Sequence, residues 1–339
     1  MAAQLRKTIY LLFGGGASLL DRDGSFREVR TEKDVRPWMK IIPELALIAD
    51  VKSVFLSGGG PVHEHPARWP GIATFIAKNW SKADGFILTQ DVDVLPYSAS
   101  ALTLMLQRPG KPIILTGAIK ETGVRRRGKA LTAALLGHPD VGIRSNLVNA
   151  AQVATLDIAE TAVLFGNRLL RGANVVRLAA PSPLLFESVG VEPLGRIDFG
   201  LKLELHRRRR FSGTPKLFPT LKTRILQVSI VPTAAAVSIP HLDPKAIDGV
   251  FVTSNTSSVA AEVLATFERA TAESGVPICI AQRVPLGKTS RLLTLGNVTP
   301  AMGLVKFMWA LGRANTQRRI QKLLTADVAG EIIHGEAAA

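Results

Sequence analysis

Short apolar runs recur along this chain, each closed by small or polar residues, in the rhythm of parallel strands buried on both faces. The clearest lies within residues 84–94. Phe86, Ile87 and Leu88 form a continuous apolar run, and Thr89, Gln90, Asp91 and Asp93 follow where the strand's carboxyl end would emerge. That end is where open α/β sheets place their ligands. Residues 111–118 repeat the pattern, and the spacing predicts a helix over 98–107 between them, so the whole reads as a βαβ unit. Further strands are predicted at 8–13, 51–56 and 162–165, then at 224–230, 249–253 and 277–281. A helix over 258–272 separates the last two. The predicted class is α/β with mostly parallel sheets.

A length of 339 residues exceeds what one core usually organises and suits two domains. The patterning places a larger N-terminal domain at 1–205, a basic linker at 206–223 and a smaller C-terminal domain at 224–339, ending in a basic helix. A hydrophobic fraction of 47% against 20% charged residues belongs to a globular chain. No apolar run is long enough to span a membrane; Gly14, Gly15 and Gly16 stop the first one. Residues 1–7 are too short for a secretory signal, and the lone Cys279 sits in an apolar run, so no disulfide framework forms within one chain. An intracellular setting is expected, cytoplasmic or in the mitochondrial matrix.

Charge changes the picture. The formal net charge is +15 and the pI about 10.4. Such a field attracts nucleic acid, anionic membranes or acidic proteins, although a lineage that favours arginine gives the same count. Two concentrated sources stand out: Arg125, Arg126, Arg127 and Lys129, and the run Arg207, Arg208, Arg209 and Arg210. Each guanidinium suits a phosphate in a bidentate pair. Aromatic residues are only 6% of the chain, which argues for contact with backbone phosphate or an acidic partner over base stacking.

Cofactor and metal signatures are weak. The glycine run after the first strand lacks both GxGxxG spacing and a Lys-Ser/Thr pair, so no dinucleotide or P-loop site is expected. His63, Glu64 and His65 offer no third zinc ligand and read as a solvated loop.

The order of these motifs resembles the L-asparaginase/glutaminase family. Its second signature is a strand ending in Thr-His-Gly-Thr-Asp-Thr, then a helix, then Lys-Pro-Val-Val-Leu-Thr-Gly-Ala. Here Lys111-Pro112-Ile113-Ile114-Leu115-Thr116-Gly117-Ala118 matches the second half. Further matches are Pro66 with Trp69, Asn146-Leu147-Val148-Asn149-Ala150, and Gly296-Asn297-Val298-Thr299. The resemblance covers roughly 8–325 and implies the family's two-domain α/β fold.

It also implies that most catalytic groups are gone. In the first half of the signature, Gln90 replaces His, Asp91 replaces Gly, Val92 replaces the catalytic Thr and Val94 the last Thr, while Thr89 and Asp93 survive. Gly16 falls at the nucleophile, Phe26 at the supporting tyrosine and Arg177 at the relay lysine. Arginine stays charged and cannot serve as a base. Ser57, Asp93 and Asn255 are the substrate-binding remnants the resemblance implies. Asp93 facing Arg177 has a second reading, a structural ion pair.

The expected function is therefore a catalytically degenerate member, acting as a structural or binding subunit of a larger assembly and touching RNA or an acidic partner through its arginine-rich loops. Two alternatives stay open. One is an amidohydrolase with a rearranged site using Ser18, Ser57 or Thr89; the other is an amino-acid sensor at Asp93. The family's tetramer would make a homo-oligomer.

Overall fold

A computed structural model describes residues 6–14, 18–20, 26–56, 65–118, 143–178, 185–197, 201–203, 212–231, 239, 241–254, 259–281, 287 and 290–334; for 18–20, 26–28 and 201–203 it describes the backbone. The chain divides into two compact units, Met1–Pro219 and Thr220–Ala339. Of the stretch expected to link them, 206–223, residues 206–211 lie outside the described residues, and Lys216–Leu217 pairs within the first unit.

The first unit opens with β1 (Thr8–Phe13), the hairpin β2 (Ser18–Leu20) and β3 (Phe26–Glu28), α1 (Glu32–Met39), α2 (Leu45–Ile48) and β4 (Asp50–Phe55). It continues through α3 (Trp69–Lys78), β5 (Gly85–Thr89), α4 (Leu95–Met105), β6 (Leu106–Gln107), β7 (Ile113–Thr116) and α5 (Ile143–Ala154). The strands β8 (Thr161–Phe165), β9 (Arg168–Arg171), β10 (Val175–Arg177), β11 (Phe186–Ser188), β12 (Gly195–Ile197), β13 (Leu201–Leu203) and β14 (Lys216–Leu217) complete it.

Eight of these strands form one sheet in the order β13-β12-β9-β8-β7-β5-β1-β4. From β4 to β8 every pairing is parallel, and from β8 to β13 every pairing is antiparallel. The central strand β5 is buried along its whole length, which is why its sequence reads as an unbroken apolar run. Phe86 aligns with Tyr10 on one side and Ile113 on the other. On one face Phe13 meets Trp38 edge-on at 5.2 Å; on the other, Trp80 stacks on Phe86 at 5.6 Å.

α4 starts three residues earlier than the apolar pattern predicted. The added first turn holds Pro96, whose missing N–H costs nothing there. The helix is buried on nearly all sides, and Ser100 satisfies its hydroxyl by donating to the Pro96 carbonyl at 2.7 Å.

The second unit holds β15 (Ile225–Ile230), β16 (Gly249–Ser254), α6 (Ala261–Ser274), β17 (Ile278–Ile280), β18 (Leu293–Thr294), α7 (Pro300–Arg313) and α8 (Gln317–Thr325). Its four strands pair in parallel in sequence order. α6 ends at Gly275 with φ of 72°, a left-handed cap that suits glycine. Among the described residues no helix is long and apolar enough to cross a membrane.

Candidate functional site

The carboxyl ends of β1, β5 and β7 converge, as a parallel sheet requires of its ligand edge. The Gly14 N–H donates to the Thr89 carbonyl at 3.1 Å, and the Gln90 N–H to the Thr116 carbonyl at 2.9 Å. The three strands are thus stitched together up to their last residues. Beyond Gln90 the chain turns tightly, the Val94 N–H donating to the Asp91 carbonyl at 3.0 Å, and enters α4.

Gln90 is the centre of this edge. It is buried, its amide nitrogen donates to the Gly14 carbonyl at 3.3 Å, and its amide oxygen accepts from Ser98 Oγ at 2.6 Å. Ser98 in turn accepts from Trp69 Nε1 at 3.0 Å. The carboxamide therefore ties the end of β1 to α4 and, through Ser98, to α3. A carboxamide does not exchange protons near neutrality, so Gln90 has no acid–base role. Two glycines make room for it. A Cβ on Gly117 would lie 2.0 Å from the Gln90 carbonyl oxygen, and one on Gly14 would lie 2.5 Å from Gln90 Nε2.

Asn146 of α5 braces the next position. It donates to the Gly117 carbonyl at 2.8 Å and accepts from the Gly166 N–H at 3.0 Å, while Thr116 Oγ1 donates to the Leu164 carbonyl at 2.8 Å. Gln90, Ser98, Asn146 and Thr116 are all buried, with their polar side chains spent on backbone or on a neighbour. Thr89 Oγ1 has no hydrogen-bond partner among the described residues, but the residue is fully buried and turns no face to solvent.

The outer rim carries the charges. Val92, at the position implied for the catalytic threonine, is buried, with no group to activate a nucleophile. Asp93 points outward, its side chain 71% exposed, and Arg177 Nη2 lies 3.0 Å from its Oδ1. Arg177 ends β10, aligned with Phe186 of β11. The structure thus brings Asp93 and Arg177 together as an ion pair, while Val92 is buried.

Gly16, Ser57 and Asn255 lie outside the described residues, as do Arg125, Arg126, Arg127, Lys129 and Arg207, Arg208, Arg209, Arg210. Through their backbones Ser18 pairs with Glu28 and Phe26 with Leu20 in β2–β3, and the side chains of Ser18 and Phe26 are outside the description. Of the residues 63–65, only His65 is described; its Nδ1 accepts from the Ala67 N–H at 3.1 Å, an N-terminal cap for the turn before α3. Among the described residues no group of three or more His, Cys, Asp or Glu side chains is placed to hold a metal ion.

Sequence reasoning noticed Gln90 only as a lost histidine and missed its partners. Ser98, eight residues on, marks one turn of α4 facing back toward the strand end, and Gly14 and Gly117 are the small residues that such a wedge demands. Those signals were present, but no spacing rule connects them.

Comparison with known proteins agrees with this architecture. A family model described as "Asparaginase, N-terminal" matches residues 8–128 and 131–210, more than half of the chain. The chain is 24% identical over 318 residues to a glutamyl-tRNA(Gln) amidotransferase subunit from Pyrococcus horikoshii, covering 86% of this chain and 69% of that protein. It is 27% identical over 314 residues to the corresponding protein of Archaeoglobus fulgidus, covering 86% and 71%. Among solved structures, the thermostable L-asparaginase from Thermococcus kodakarensis superposes with a TM-score of 0.72 at 20% identity, covering 97% of this chain and all of that one. L-asparaginase I from Vibrio cholerae gives 0.71 at 24% identity, covering 96% and 99%. The order of strands, the strand-end turn after Thr89 and the profile match converge on one assignment: the chain belongs to the asparaginase family.

Proposed function

We propose that this chain is a non-hydrolytic asparaginase-fold protein that serves as a subunit of a larger intracellular assembly. The observation that carries the reading is the rim of the strand-end site: Val92 is buried where a threonine would be needed, and Arg177 holds Asp93 at 3.0 Å where a lysine would relay a proton. Acyl transfer requires an activated nucleophile with a base in reach. Neither Gln90, Val92 nor Arg177 supplies one. The subunit role is supported by the relatives, which are named as subunits of a glutamyl-tRNA(Gln) amidotransferase. The charge of +15 and the arginine runs at 125–127 and 207–210 favour an anionic partner, RNA or an acidic protein.

The deciding experiment is ammonia release from asparagine and glutamine by the purified chain, beside a catalytically intact family member. The expected result is no release above buffer. Turnover that survives repurification and disappears in Asp93→Ala would overturn the non-hydrolytic reading. A second reading, amino-acid binding without turnover, draws on the same exposed pair, since Asp93 and Arg177 present opposite charges to a zwitterion. Saturable aspartate binding without ammonia release is its signature.

A further inference from the structure

We propose that the outward face of α8 binds the phosphate backbone of a nucleic acid through Arg318, Arg319 and Lys322. The helix is fixed in rotation by its inner face: Ile320 and Leu324 are buried, and the Gln321 amide accepts from the Thr294 N–H and donates to its carbonyl, each at 3.0 Å. That anchoring turns Arg318, Arg319 and Lys322 into solvent.

These three cations meet no carboxylate among the described residues. Other exposed arginines of the chain do: Arg224 bridges Asp248 at 2.8 Å, and Arg144 pairs with Glu44. Of the described acidic residues that follow α8, Asp327 lies beside His334 at 3.9 Å and Glu331 pairs with Lys306 at 2.6 Å. α8 itself contains no Asp or Glu.

The placement also runs against helix stability. Arg318 and Arg319 occupy the first turn, where the helix dipole is positive and disfavours a cation. α1 of the same chain follows the favourable rule, with Glu32 and Asp34 in its first turn. Two arginines at the positive end become favourable only when an anion arrives, and an N-terminal turn offers that anion its own N–H groups. Arg318 and Lys322 stand one turn apart, about 6 Å along the axis, a span that faces about two successive phosphates of one strand. The guanidinium of each arginine grips phosphate in a bidentate fork. The last turn of α7 adds Arg313, stacked over Trp309 at 5.3 Å.

This inference names a contact surface for the subunit reading and rests on that reading only for its biological setting. Its test uses the full chain, with fluorescein-labelled oligouridylate RNA and oligothymidylate DNA of equal length, followed by anisotropy across a salt series. The triple variant Arg318→Glu, Arg319→Glu, Lys322→Glu is compared with Lys33→Glu, Arg36→Glu, Lys40→Glu on α1 and its C-cap, which changes net charge equally. Three lost phosphate contacts lower the log–log salt slope by about 2 on a single strand, and affinity at low salt falls at least about tenfold. The α1 variant should lose less than about twofold. Equal affinity for RNA and DNA supports a pure backbone contact, and a preference for RNA adds contact to the 2′-hydroxyl.

Absence of binding by the unaltered chain overturns the proposal. So does an equal loss in both triple variants, which would make the binding a property of net charge. Binding confined to polyglutamate or to anionic vesicles overturns it in favour of an acidic protein or a membrane surface. The single change Arg319→Gln, with melting curves alongside, keeps the test valid if charge reversal unfolds α8. Ammonia release would sink the non-hydrolytic reading and leave this one standing; the failures are separable.

Discussion

Arg177 Nη2 sits 3.0 Å from Asp93 Oδ1, joining the end of β10 to the turn between β5 and α4. Both side chains are substantially exposed, 44% and 71%, so this pair positions more than it stabilises. Exposed ion pairs contribute about 0.2–1 kcal/mol. Arg177→Ala should therefore shift the urea midpoint by no more than that range implies. Arg177→Lys should also leave ammonia release at background, because Val92 still lacks a hydroxyl and the Gln90 carboxamide cannot act as a base. Amidase activity appearing in Arg177→Lys alone would mean that a nucleophile stands elsewhere in the chain.

The packing around Gln90 makes a sharper prediction. Gly117→Ala pushes a Cβ to within 2.0 Å of a backbone oxygen in the strand-end turn, and backbone there cannot give way. Gly14→Ala meets the Gln90 side-chain nitrogen at 2.5 Å and the Thr89 carbonyl at 3.0 Å, so its closest contact is a side chain that can give way by releasing its 3.3 Å bond to the Gly14 carbonyl, not a backbone atom. Overpacking typically costs about 1–3 kcal/mol, and Gly117→Ala should lie at or above the top of that range. Gly14→Ala should cost less. Equilibrium unfolding of the two variants ranks them; the reverse order would show that the Gln90 turn is the softer side.

Much of this architecture was legible because burial leaves a trace in sequence. Phe86, Ile87 and Leu88 announce β5 since both faces of a central parallel strand are covered, and Thr8–Phe13 and Gly249–Ser254 carry the same mark. α4 was placed three residues too late: it begins at Leu95, with Pro96 in its first turn, where a missing N–H costs nothing. The family frame was readable from ordered motifs. At Val92 and Arg177 the sequence departs from the family's motif, and the non-hydrolytic reading proposed above rests on those departures. The bonding at the strand end was not readable: the Trp69–Ser98–Gln90–Gly14 chain joins residues up to 76 apart through side-chain bonds that follow no periodicity. Lys306 and Glu331 illustrate the same limit, since both residue types are ordinarily read as solvent-facing.

Asp248 supplies a pH prediction. The hydrogen bond from Arg224 holds its carboxyl below the usual value, aided by the neighbouring Lys222 charge and opposed by partial burial. A carboxyl depressed in the folded state contributes stability above its unfolded pKa, about 3.9, and loses it as pH falls through the lower folded value. The unaltered chain should therefore lose part of its stability between about pH 4 and the folded pKa. Arg224→Leu should be less stable at neutral pH and show a shallower acid decline. Parallel acid limbs in the two proteins would remove the Arg224–Asp248 contact from the account.

The second unit contains the ion pair with most at stake. Lys306 of α7 and Glu331 are both fully buried, with Nζ 2.6 Å from Oε1. Lys306 also donates to the Ala326 carbonyl at 2.6 Å, and Glu331 accepts from the Val328 and Ala329 N–H groups, the latter at 2.6 Å. The pair therefore fastens the segment after α8 to α7, which Asn297 reinforces by bonding the Ile333 carbonyl at 3.0 Å. Two buried charges gain little over an apolar pair of equal volume, but a solitary buried charge is costly. Lys306→Met should thus destabilise by about 3–5 kcal/mol, a large share of a typical total of about 5–15 kcal/mol. Lys306→Met combined with Glu331→Gln should recover part of the loss, since the neutral amide oxygen still accepts from the Val328 and Ala329 N–H groups. Cys279 provides an independent readout: it is fully buried, and burial pushes its thiol pKa up, so it should resist alkylation in the folded chain. Urea midpoints and Cys279 labelling should then move together across the three proteins. If Lys306→Met shifts neither, water must reach Glu331 as soon as the lysine is gone, and the segment is held by Asn297 and the buried flank of α8.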